Sequence, residues 1–355
     1  AGFVLDLAAA PGSKTSQLSA LMHNQGVILA NEPSPKRHQT MLQNLARLGV
    51  MNVVSTQKDG RAIAQYFPNF FDSILLDAPC SGEGTIRKDF QALLYWNDKK
   101  VESCARLQRD LISDAFSALK PGGELVYSTC TMSPEENEDI LDYLLAKFPQ
   151  AYLIPLNPLW RKPPLSEWEN PEVLRCWPQL YDNEGFFVAK IGKNSPTEDS
   201  SFLKVRHPSA VKKISQSTYQ VLQKYAQTYF AAMLPLNLPL YEQGKKQIFL
   251  QSPISDSLTE RLNFMQNGFL FADIYNSEIK ISHFAWLYLW QMGFRPQQGF
   301  YELNASELKL LLSGQDLALS LPKGPVLFIY EGHLVASGKS LGDYCKNYLP
   351  RSLAL

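Results

Sequence analysis

Two cysteines follow short apolar runs at positions where a thiol could act on a bound substrate. Cys80 ends the segment 71–80, in which a buried-strand pattern stops at Asp77-Ala78-Pro79. Cys130 ends a second such segment, which begins at Gly123. If both segments are parallel strands, their carboxyl ends lie at the edge of the sheet where open α/β folds bind ligands. Two thiols at one crevice, one of them close to the Asp77 carboxyl, predict covalent catalysis.

The remaining cysteines suggest no other chemistry. A single cysteine is more simply interpreted as a small buried hydrophobe, and we interpret Cys104, Cys176 and Cys345 in this way. The five cysteines are far apart and include no C-x-x-C pair, which argues against a disulfide framework or a zinc site. This pattern favours a reducing compartment. We therefore expect a cytoplasmic protein without a metal.

The elements that must position these thiols begin with a strand over residues 2–7. A turn follows, Ala8-Ala9-Ala10-Pro11-Gly12-Ser13-Lys14, and then a helix through Leu21. A strand, a small-residue turn and a helix are the layout of a nucleotide-cofactor site, because small residues let the backbone approach the ligand. The turn is not a P-loop, since the leading glycine is absent and a serine separates Gly12 from Lys14. Alanines also stand where a dinucleotide fingerprint needs glycines.

Two acidic residues follow the next two predicted strands. Glu32 ends the strand 26–31 and could accept hydrogen bonds from both hydroxyls of a ribose. Asp59 lies just past the strand 52–56 and could accept from an exocyclic amine. An ordinary solvated loop glutamate and a turn aspartate explain these two residues equally well.

The other predicted elements complete an alternation of strands and helices over residues 1–192. Helices are expected over 36–48, over 107–119, and from a capping box at Ser133-Pro134-Glu135-Glu136 through Leu145. The segment 186–189 is expected to form the last hairpin of the sheet. This alternation predicts a doubly wound α/β sheet.

The charge distribution locates a candidate contact with a polyanion. The chain of 355 residues has zero formal net charge, so affinity for nucleic acid must come from a local patch. Residues 193–250 carry 8 Lys/Arg and 3 Asp/Glu, against 18 and 22 in residues 1–192 and 8 and 9 in residues 251–355. This basic block follows a predicted linker, 193–201, and is either a solvated helical face or an RNA-backbone contact with tyrosine stacking. Its residues include Lys204, Arg206, His207, Lys212, Lys213, Lys245 and Lys246.

The last part of the chain predicts a small β-barrel, because residues 325–338 form a strand–turn–strand pattern. The longest apolar stretch, 284–290, is too short to span a membrane. The chain begins inside a predicted strand, so we expect an N-terminal segment to be missing.

Three motifs together resemble a known family. Ala-Ala-Pro-Gly-Ser-Lys-Thr after the first strand, Asp-Ala-Pro-Cys after the fourth and Ser-Thr-Cys-Thr after the fifth are similar to the RNA cytosine-C5 methyltransferases of the RsmB and RsmF type. That family uses S-adenosylmethionine (SAM) on a Rossmann-like sheet. The segment 346–351 is similar to the PUA-like barrel of the RsmF-type enzymes, which methylate bacterial small-subunit (16S) ribosomal RNA.

The resemblance implies a role for each motif residue. The turn from Ala8 to Lys14 holds the amino-acid end of SAM, Glu32 its ribose, and Asp59 lies near its adenine. Asp77 stands beside the methyl-transfer centre. Cys130 is the nucleophile, and Cys80 assists in releasing the product. The residues alone leave the order of the two cysteines open, since DNA cytosine methyltransferases use a Pro-Cys nucleophile, which would be Cys80.

The chemistry explains why such residues are needed. A thiolate that adds to carbon 6 of cytosine makes carbon 5 nucleophilic, and a carboxyl such as Asp77 can assist at ring nitrogen 3. The thiolate requires an electropositive site, for which the predicted helix starting at Ser133 is a candidate. The target base must be single-stranded or flipped, and Arg87 and Lys88 could hold its phosphates.

The expected architecture is an α/β, Rossmann-like SAM-dependent methyltransferase sheet, followed by small α+β and PUA-like β-barrel C-terminal domains. The expected domains are residues 1–192 for methylation, 193–283 as a basic linker and pre-PUA RNA-binding subdomain, and 284–355 as the PUA-like domain. The expected partner of this monomer is 16S rRNA or the small ribosomal subunit, with no membrane. The alternatives are another RNA, such as tRNA, as the substrate, a non-catalytic RNA-binding protein, and a nucleotide-dependent oxidoreductase, which the weak glycine fingerprint disfavours.

Overall fold

The computed structural model describes residues 2–88, 90, 94, 96–156, 172–194, 211–235, 238–243, 247–252, 258, 264, 266–275 and 278–353. Two compact units divide the chain. Unit 1 comprises residues 1–41, 52–208 and 254–266, and unit 2 comprises residues 42–51, 209–253 and 267–355.

Unit 1 is built on a mixed β-sheet. Its strands are β1 (Phe3–Asp6), β2 (Val27–Asn31), β3 (Val53–Thr56), β4 (Phe71–Asp77), β5 (Leu119–Thr129), β6 (Ala151–Leu153), β7 (Val173–Cys176) and β8 (Phe186–Lys193). They lie in the order β3-β2-β1-β4-β5-β8-β6, and β7 also pairs with β8. Strands β1 to β5 are parallel, and β8 runs antiparallel to β5. The predicted α/β sheet and its closing hairpin are therefore confirmed.

Helices alternate with the parallel strands as the sequence predicts, except between β3 and β4, where the structure has only a 3₁₀ turn, Gly60–Ala62. They are α1 (Ser13–Leu21), α2 (Pro35–Arg47), α3 (Asp98–Ala118), α4 (Glu138–Lys147) and the short α5 (Pro178–Tyr181). Helix α3 starts well before Leu107, where we expected it, because the Asn97 side chain accepts a hydrogen bond from the Lys100 amide and caps its first turn. Side chains of α3 and α4 pack on the sheet in one apolar core with Phe67, Phe116 and Tyr127.

Two local predictions in unit 1 are wrong. The predicted capping box does not form: Pro134–Glu136 is a 3₁₀ turn, and the Ser133 side chain makes no cap hydrogen bond. Its hydroxyl instead donates to Glu83 at 2.8 Å. The predicted linker also begins too early, because Lys193 is the last residue of β8 and is buried. Its ammonium donates to Asn69 Oδ1 at 2.6 Å and to the carbonyl oxygens of Phe116 and Leu119.

Unit 2 contains two smaller sheets. Its elements are β9 (Val211–Lys213), α6 (Gln216–Phe230), β10 (Leu240–Gln243), β11 (Gln247–Leu250), β13 (Phe269–Tyr275), β14 (Glu278–Ile281), α7 (His283–Gln291), β15 (Phe300–Glu302), α8 (Ala305–Leu312), β16 (Gly324–Tyr330), β17 (His333–Ser340) and β18 (Cys345–Asn347), while β12 (Gln266–Asn267) spans the division between the units. One sheet has the order β14-β13-β11-β10-β9 and the other the order β15-β16-β17-β18.

The predicted strand–turn–strand unit is confirmed as the antiparallel hairpin β16–β17. Its turn residues Glu331 and Gly332 both have positive φ, 49° and 76°, as a tight hairpin turn requires. Among the described residues, no helix is long and apolar enough to cross a membrane.

Candidate active site

The parallel pairing of β4 and β5 brings the two cysteine segments together. Asp77 is in register with Ser128 at the carboxyl ends of these strands. The chain then continues by a few residues on each strand, and the Sγ atoms of Cys80 and Cys130 lie 3.2 Å apart. Both side chains are partly accessible. The two thiols therefore share one site at the edge where the sequence predicted it.

The two sulfurs differ in pKa. The hydrogen bond with Cys80 lowers the pKa of Cys130; burial and the Asp77 carboxylate oppose this, and the Lys14 ammonium adds a smaller lowering effect. The hydrogen bond with Cys130 raises the pKa of Cys80, as do burial and the nearby Glu136 carboxylate. The arrangement thus favours a thiolate at Cys130 and a thiol at Cys80. The two sulfurs share one proton, which stays on the sulfur whose ionised form is less stable, Cys80.

Asp77 is held in a fixed position beside the thiols. Its Oδ2 accepts from Lys14 Nζ at 2.7 Å, and its Oδ1 accepts from the Ser128 hydroxyl at 2.6 Å. The side chains of this ion pair are each about one-third exposed, 35% and 33%. The Lys14 ammonium also lies 5.2 Å from the centre of the Phe186 ring. Asp77 can therefore be reached by a ligand without losing the contacts that orient it.

Glu83 joins the loops that carry the two cysteines. Its Oε2 accepts from the Ser81 hydroxyl at 2.5 Å, on the Cys80 side. Its Oε1 accepts from the Thr131 hydroxyl at 2.6 Å, the Met132 amide at 3.0 Å and the Ser133 hydroxyl at 2.8 Å, on the Cys130 side. Burial would raise the pKa of Glu83, but these hydrogen bonds outweigh it and lower the pKa to about 2. One ionised carboxylate thus links both loops.

A second carboxylate, Glu136, accepts hydrogen bonds that help to hold the loop carrying Cys80. It accepts from the Ser81 amide at 3.0 Å and from Gln108 Nε2 at 2.8 Å. The same Gln108 amide group also donates to the Pro79 carbonyl oxygen, and Lys100 Nζ donates to the Ser81 carbonyl oxygen. Burial raises the pKa of Glu136. The segment from Pro79 to Ser81 is therefore fixed by α3.

The small-residue turn lies at the start of α1. Gly12 precedes the helix with φ 99° and ψ 4°, a left-handed conformation that favours glycine. The Ala9 amide donates to the Asn31 carbonyl oxygen, which ties the turn to β2. Asp6, at the end of β1, accepts from the Thr15 hydroxyl at 2.7 Å. Burial raises the pKa of Asp6 to about 7, and its Oδ1 has no hydrogen-bond partner among the described residues.

The two acids predicted to hold the cofactor differ in their surroundings. Glu32 is buried at the end of β2, accepts from the Ser34 amide at 2.9 Å, and lies 3.2 Å from Arg37 Nη1. Arg37 also donates to the Ala10 carbonyl oxygen at 2.9 Å, so it connects Glu32 to the turn. Asp59 is exposed after β3 and forms an ion pair with Arg61 at 2.6 Å.

Comparisons with known proteins assign this arrangement to a family. The family described as "16S rRNA methyltransferase RsmB/F" matches residues 1–192. The chain belongs to this family. As a member of the RsmB/F family, it is a SAM-dependent methyltransferase. A second family, described as "Methyltransferase RsmF PUA domain", matches residues 299–355, so the C-terminal sheet of unit 2 lies in a PUA-like domain.

Individual relatives agree with the RsmB/F assignment. A protein named "Ribosomal RNA small subunit methyltransferase F" from Shewanella piezotolerans is 39% identical over 363 aligned positions, covering 99% of this chain and 73% of the relative. A protein of the same name from Aeromonas salmonicida is 36% identical over 361 positions, covering 99% and 73%. A solved structure described as "Crystal Structure of PH0851" is similar at 35% identity and a TM-score of 0.51, covering 54% of this chain and 42% of that chain.

The residues predicted to contact RNA lie in three places. Arg87 is exposed and donates to Asp182 Oδ1 at 2.9 Å, while Lys88 is exposed at the loop surface. Lys212 and Lys213 are exposed on β9, which pairs with β10. The remaining basic-block residues named above, Lys204, Arg206, His207, Lys245 and Lys246, lie outside the described residues. Their contact with RNA stays a prediction.

Sequence reasoning missed several members of this RsmB/F site. Glu83, Glu136, Gln108 and Arg37 all hold backbone segments that carry motif residues, yet none was selected. Glu83 is the one that the sequence could have indicated, because it lies close to Cys80 in a loop that also supplies Ser81. Gln108 gave no signal, since it is one polar residue on the buried side of a long helix.

Proposed function

We propose that this chain transfers a methyl group from SAM to carbon 5 of a cytidine in 16S rRNA, through a covalent bond between Cys130 and the base. The observation that carries this proposal is the pair of thiols 3.2 Å apart, beside the Asp77–Lys14 ion pair. We further propose that it acts as a monomer in the cytoplasm. Residues 193–283 and the PUA-like residues 284–355 serve as RNA-binding regions in this proposal.

The residues present fit SAM. The left-handed Gly12 and the three alanines before it leave the backbone of the turn open to close approach by the amino-acid end of the cofactor. The unpartnered Oδ1 of Asp6 is an acceptor without a protein donor among the described residues, and the ammonium group of SAM is a suitable donor. Bound SAM supplies an electrophilic methyl group on a sulfonium centre.

Glu32 and Asp59 take the assigned roles at the ribose and near the adenine. A carboxylate offers about four acceptor positions, so Glu32 keeps acceptors for ribose hydroxyls beside its contacts with Ser34 and Arg37. When the adenine binds, the Asp59 carboxylate either keeps its ion pair with Arg61 while it also accepts from the adenine, or gives up that ion pair.

Cys130 acts as the nucleophile. Its thiolate adds to carbon 6 of cytosine, a carbon–sulfur bond forms, and the electron pair of the 5,6 double bond moves into the ring toward nitrogen 3. The opposite pKa shifts support this order of attack, since the hydrogen bond between the two sulfurs lowers the pKa of Cys130 and raises that of Cys80. The helix predicted to start at Ser133 does not start there, because Pro134–Glu136 is a 3₁₀ turn. The hydrogen bond from Cys80 is the main cause that lowers the pKa of Cys130.

Asp77 and Cys80 act on the protons of the base. Lys14 and the Ser128 hydroxyl hold the Asp77 side chain in place, and its oxygens can accept hydrogen bonds from a protonated nitrogen 3 or from the amine of the cytosine. After methylation, Cys80, which is partly accessible, gives its own proton to water, and its thiolate then accepts the proton of carbon 5. Removal of that proton expels Cys130 and restores the double bond.

Bisulfite mapping of cellular RNA tests the proposal. A strain with the gene should show a cytidine in 16S rRNA that resists conversion, and deletion should remove that signal. If deletion instead removes such a signal from tRNA, the substrate is tRNA and not 16S rRNA. If deletion of the gene removes no such signal and calorimetry detects no SAM binding, the non-catalytic RNA-binding alternative is favoured.

A further inference from the structure

Unit 2 contains a cavity whose lining includes none of the residues of the methyl-transfer site. It is lined by α6, by β13 and β14, by the hairpin β16–β17 and by Tyr348, which follows β18. Its volume is about 710 Å³, within the range of roughly 300–1,000 Å³ that small-molecule sites occupy. The cavity is therefore large enough for one nucleotide.

The charges around this cavity favour an anion. Lys224, Lys280 and Lys339 line it, against the two acids Asp273 and Glu278. Glu278 is neutralised by an ion pair with Lys339, and Asp273 accepts a hydrogen bond from Gln247 at 3.1 Å. Lys224 and Lys280 are exposed, and neither forms an ion pair with an acidic residue among the described part of the chain. Two ammonium groups thus remain for a phosphate.

The aromatic residues offer flat faces for a base. Tyr229, at the end of α6, is 40% exposed and lines the cavity. Its ring lies 5.1 Å from that of Tyr225, which is more buried and holds it in place. Glycine at position 324 leaves room beside the Tyr229 ring, because a Cβ there would lie 3.1 Å from it. On the opposite side, Lys280 lies 4.2 Å from the centre of the Tyr348 ring.

A buried hydroxyl in the lining lacks a partner. Ser337 is 3% exposed and lines the cavity, and its Oγ makes no hydrogen bond with any described residue. Buried polar groups are normally paired, so such an orphan calls for a partner supplied from outside the protein. A hydroxyl can both donate and accept, which suits the edge of a base or a ribose.

We propose that this cavity binds one unpaired nucleotide of the RNA substrate, other than the cytidine that is methylated. The base stacks on Tyr229, the Ser337 hydroxyl bonds to the base or sugar, and Lys224 and Lys280 contact the phosphates. Aromatic stacking with lysines at the phosphates is how proteins hold unpaired nucleotides. An acidic peptide would use the lysines but leave the exposed Tyr229 face unexplained. The inference rests on the proposed function, because it takes RNA as the ligand.

Substitutions in the cavity test this inference on the full chain. Tyr229→Ala should weaken binding of a 16S rRNA transcript by about 5- to 150-fold, the range typical of one lost base stack, whereas Tyr229→Phe should bind as wild type does. Lys280→Ala should lower affinity and reduce the salt dependence of binding by about one phosphate contact. Lys309→Ala is the matched control, since Lys309 is exposed on α8 and is not part of the cavity lining.

A second measurement guards against loss of folding in the variants. Ultraviolet crosslinking of the wild-type protein to the transcript, followed by mass spectrometry, should identify Tyr229 or Tyr348 as a linked residue. Crosslinks only outside the cavity, or equal affinities for Tyr229→Ala and Lys309→Ala, would overturn the inference. If the wild type methylates RNA and cavity variants keep its KM, only the inference fails. If the wild type binds RNA through the cavity without methylating it, only the proposed function fails.

Discussion

Replacement of Glu83 by glutamine tests whether one carboxylate holds both cysteine loops in place. The fold lowers the pKa of Glu83 from 4.5 to about 2: burial opposes this change, and hydrogen bonds from Ser81, Thr131 and Ser133 produce it. A change of this size corresponds to about 3 kcal/mol in favour of the ionised form, at about 1.36 kcal/mol for each pKa unit. Because the side chain is only half-buried, solvent screening reduces the expected contribution to about 2 kcal/mol.

Because folding lowers the pKa of Glu83, its contribution to stability depends on pH over a defined range. A carboxyl whose folded pKa is lowered contributes stability that is present above pH 4.5 and is lost as the pH falls toward 2. Wild type should therefore be more stable than Glu83→Gln by about 2 kcal/mol at pH 7, and this difference should shrink between pH 4.5 and pH 3. Urea unfolding at a series of pH values measures it. Glu135→Gln is the matched control, because Glu135 is exposed in the neighbouring turn.

The same substitution should reduce catalysis more than cofactor binding. Glutamine replaces one acceptor oxygen with a donor, so contacts on one of the two loops must break. A displacement of about 1 Å between catalytic groups can cost roughly 10²-fold in rate, and we expect kcat to fall on this scale. Affinity for SAM should change little, since Glu83 makes no contact with the turn from Ala8 to Lys14 in the described hydrogen bonds. Equal stability and equal kcat in Glu83→Gln and Glu135→Gln would show that Glu83 does not hold the two cysteine loops.

Substitutions at Lys193, at Gly12 and at the pair Lys212 and Lys213 test three other parts of the chain. Burial lowers the pKa of Lys193 to about 8, so the unfolding free energy of wild type should rise from about pH 8 toward 10.5. Urea midpoints for Lys193→Met should lack this rise. The same rise in both proteins would contradict the lowered pKa of Lys193. Gly12→Ala should cost about 1–2 kcal/mol because its φ is 99° and should weaken SAM binding in calorimetry; unchanged affinity would remove the turn from the SAM site. Charge reversal at Lys212 and Lys213 should weaken RNA binding and flatten its salt dependence, whereas unchanged affinity would leave β9 as a solvated strand.

Much of the methyl-transfer site could be predicted from the sequence, because local signals specify it. Strand patterns that stop at Asp77 and at Thr129 placed both thiols at one edge once the strands were parallel neighbours. The small-residue turn likewise marked the start of α1. In each case the chemistry lies within a few residues of the element that positions it.

The errors arose where tertiary contacts override local patterns. Ser133 has the sequence of a helix cap, but its hydroxyl binds Glu83, which lies 50 positions earlier in the chain. Lys193 begins a polar segment, yet three acceptors from Asn69, Phe116 and Leu119 allow its ammonium to be buried. Glu136 and Gln108 meet in the same way, 28 positions apart. No local pattern carries such pairings.

The most direct test of the account is to trap the covalent complex. With 16S rRNA and SAM, Cys80→Ala should accumulate a protein–RNA adduct that survives denaturing electrophoresis, because Cys130 can attack but the proton of carbon 5 is not removed. Cys130→Ala should give neither an adduct nor methylated RNA. An adduct formed by Cys130→Ala and absent from Cys80→Ala would contradict the order of attack, and would assign the nucleophile to Cys80.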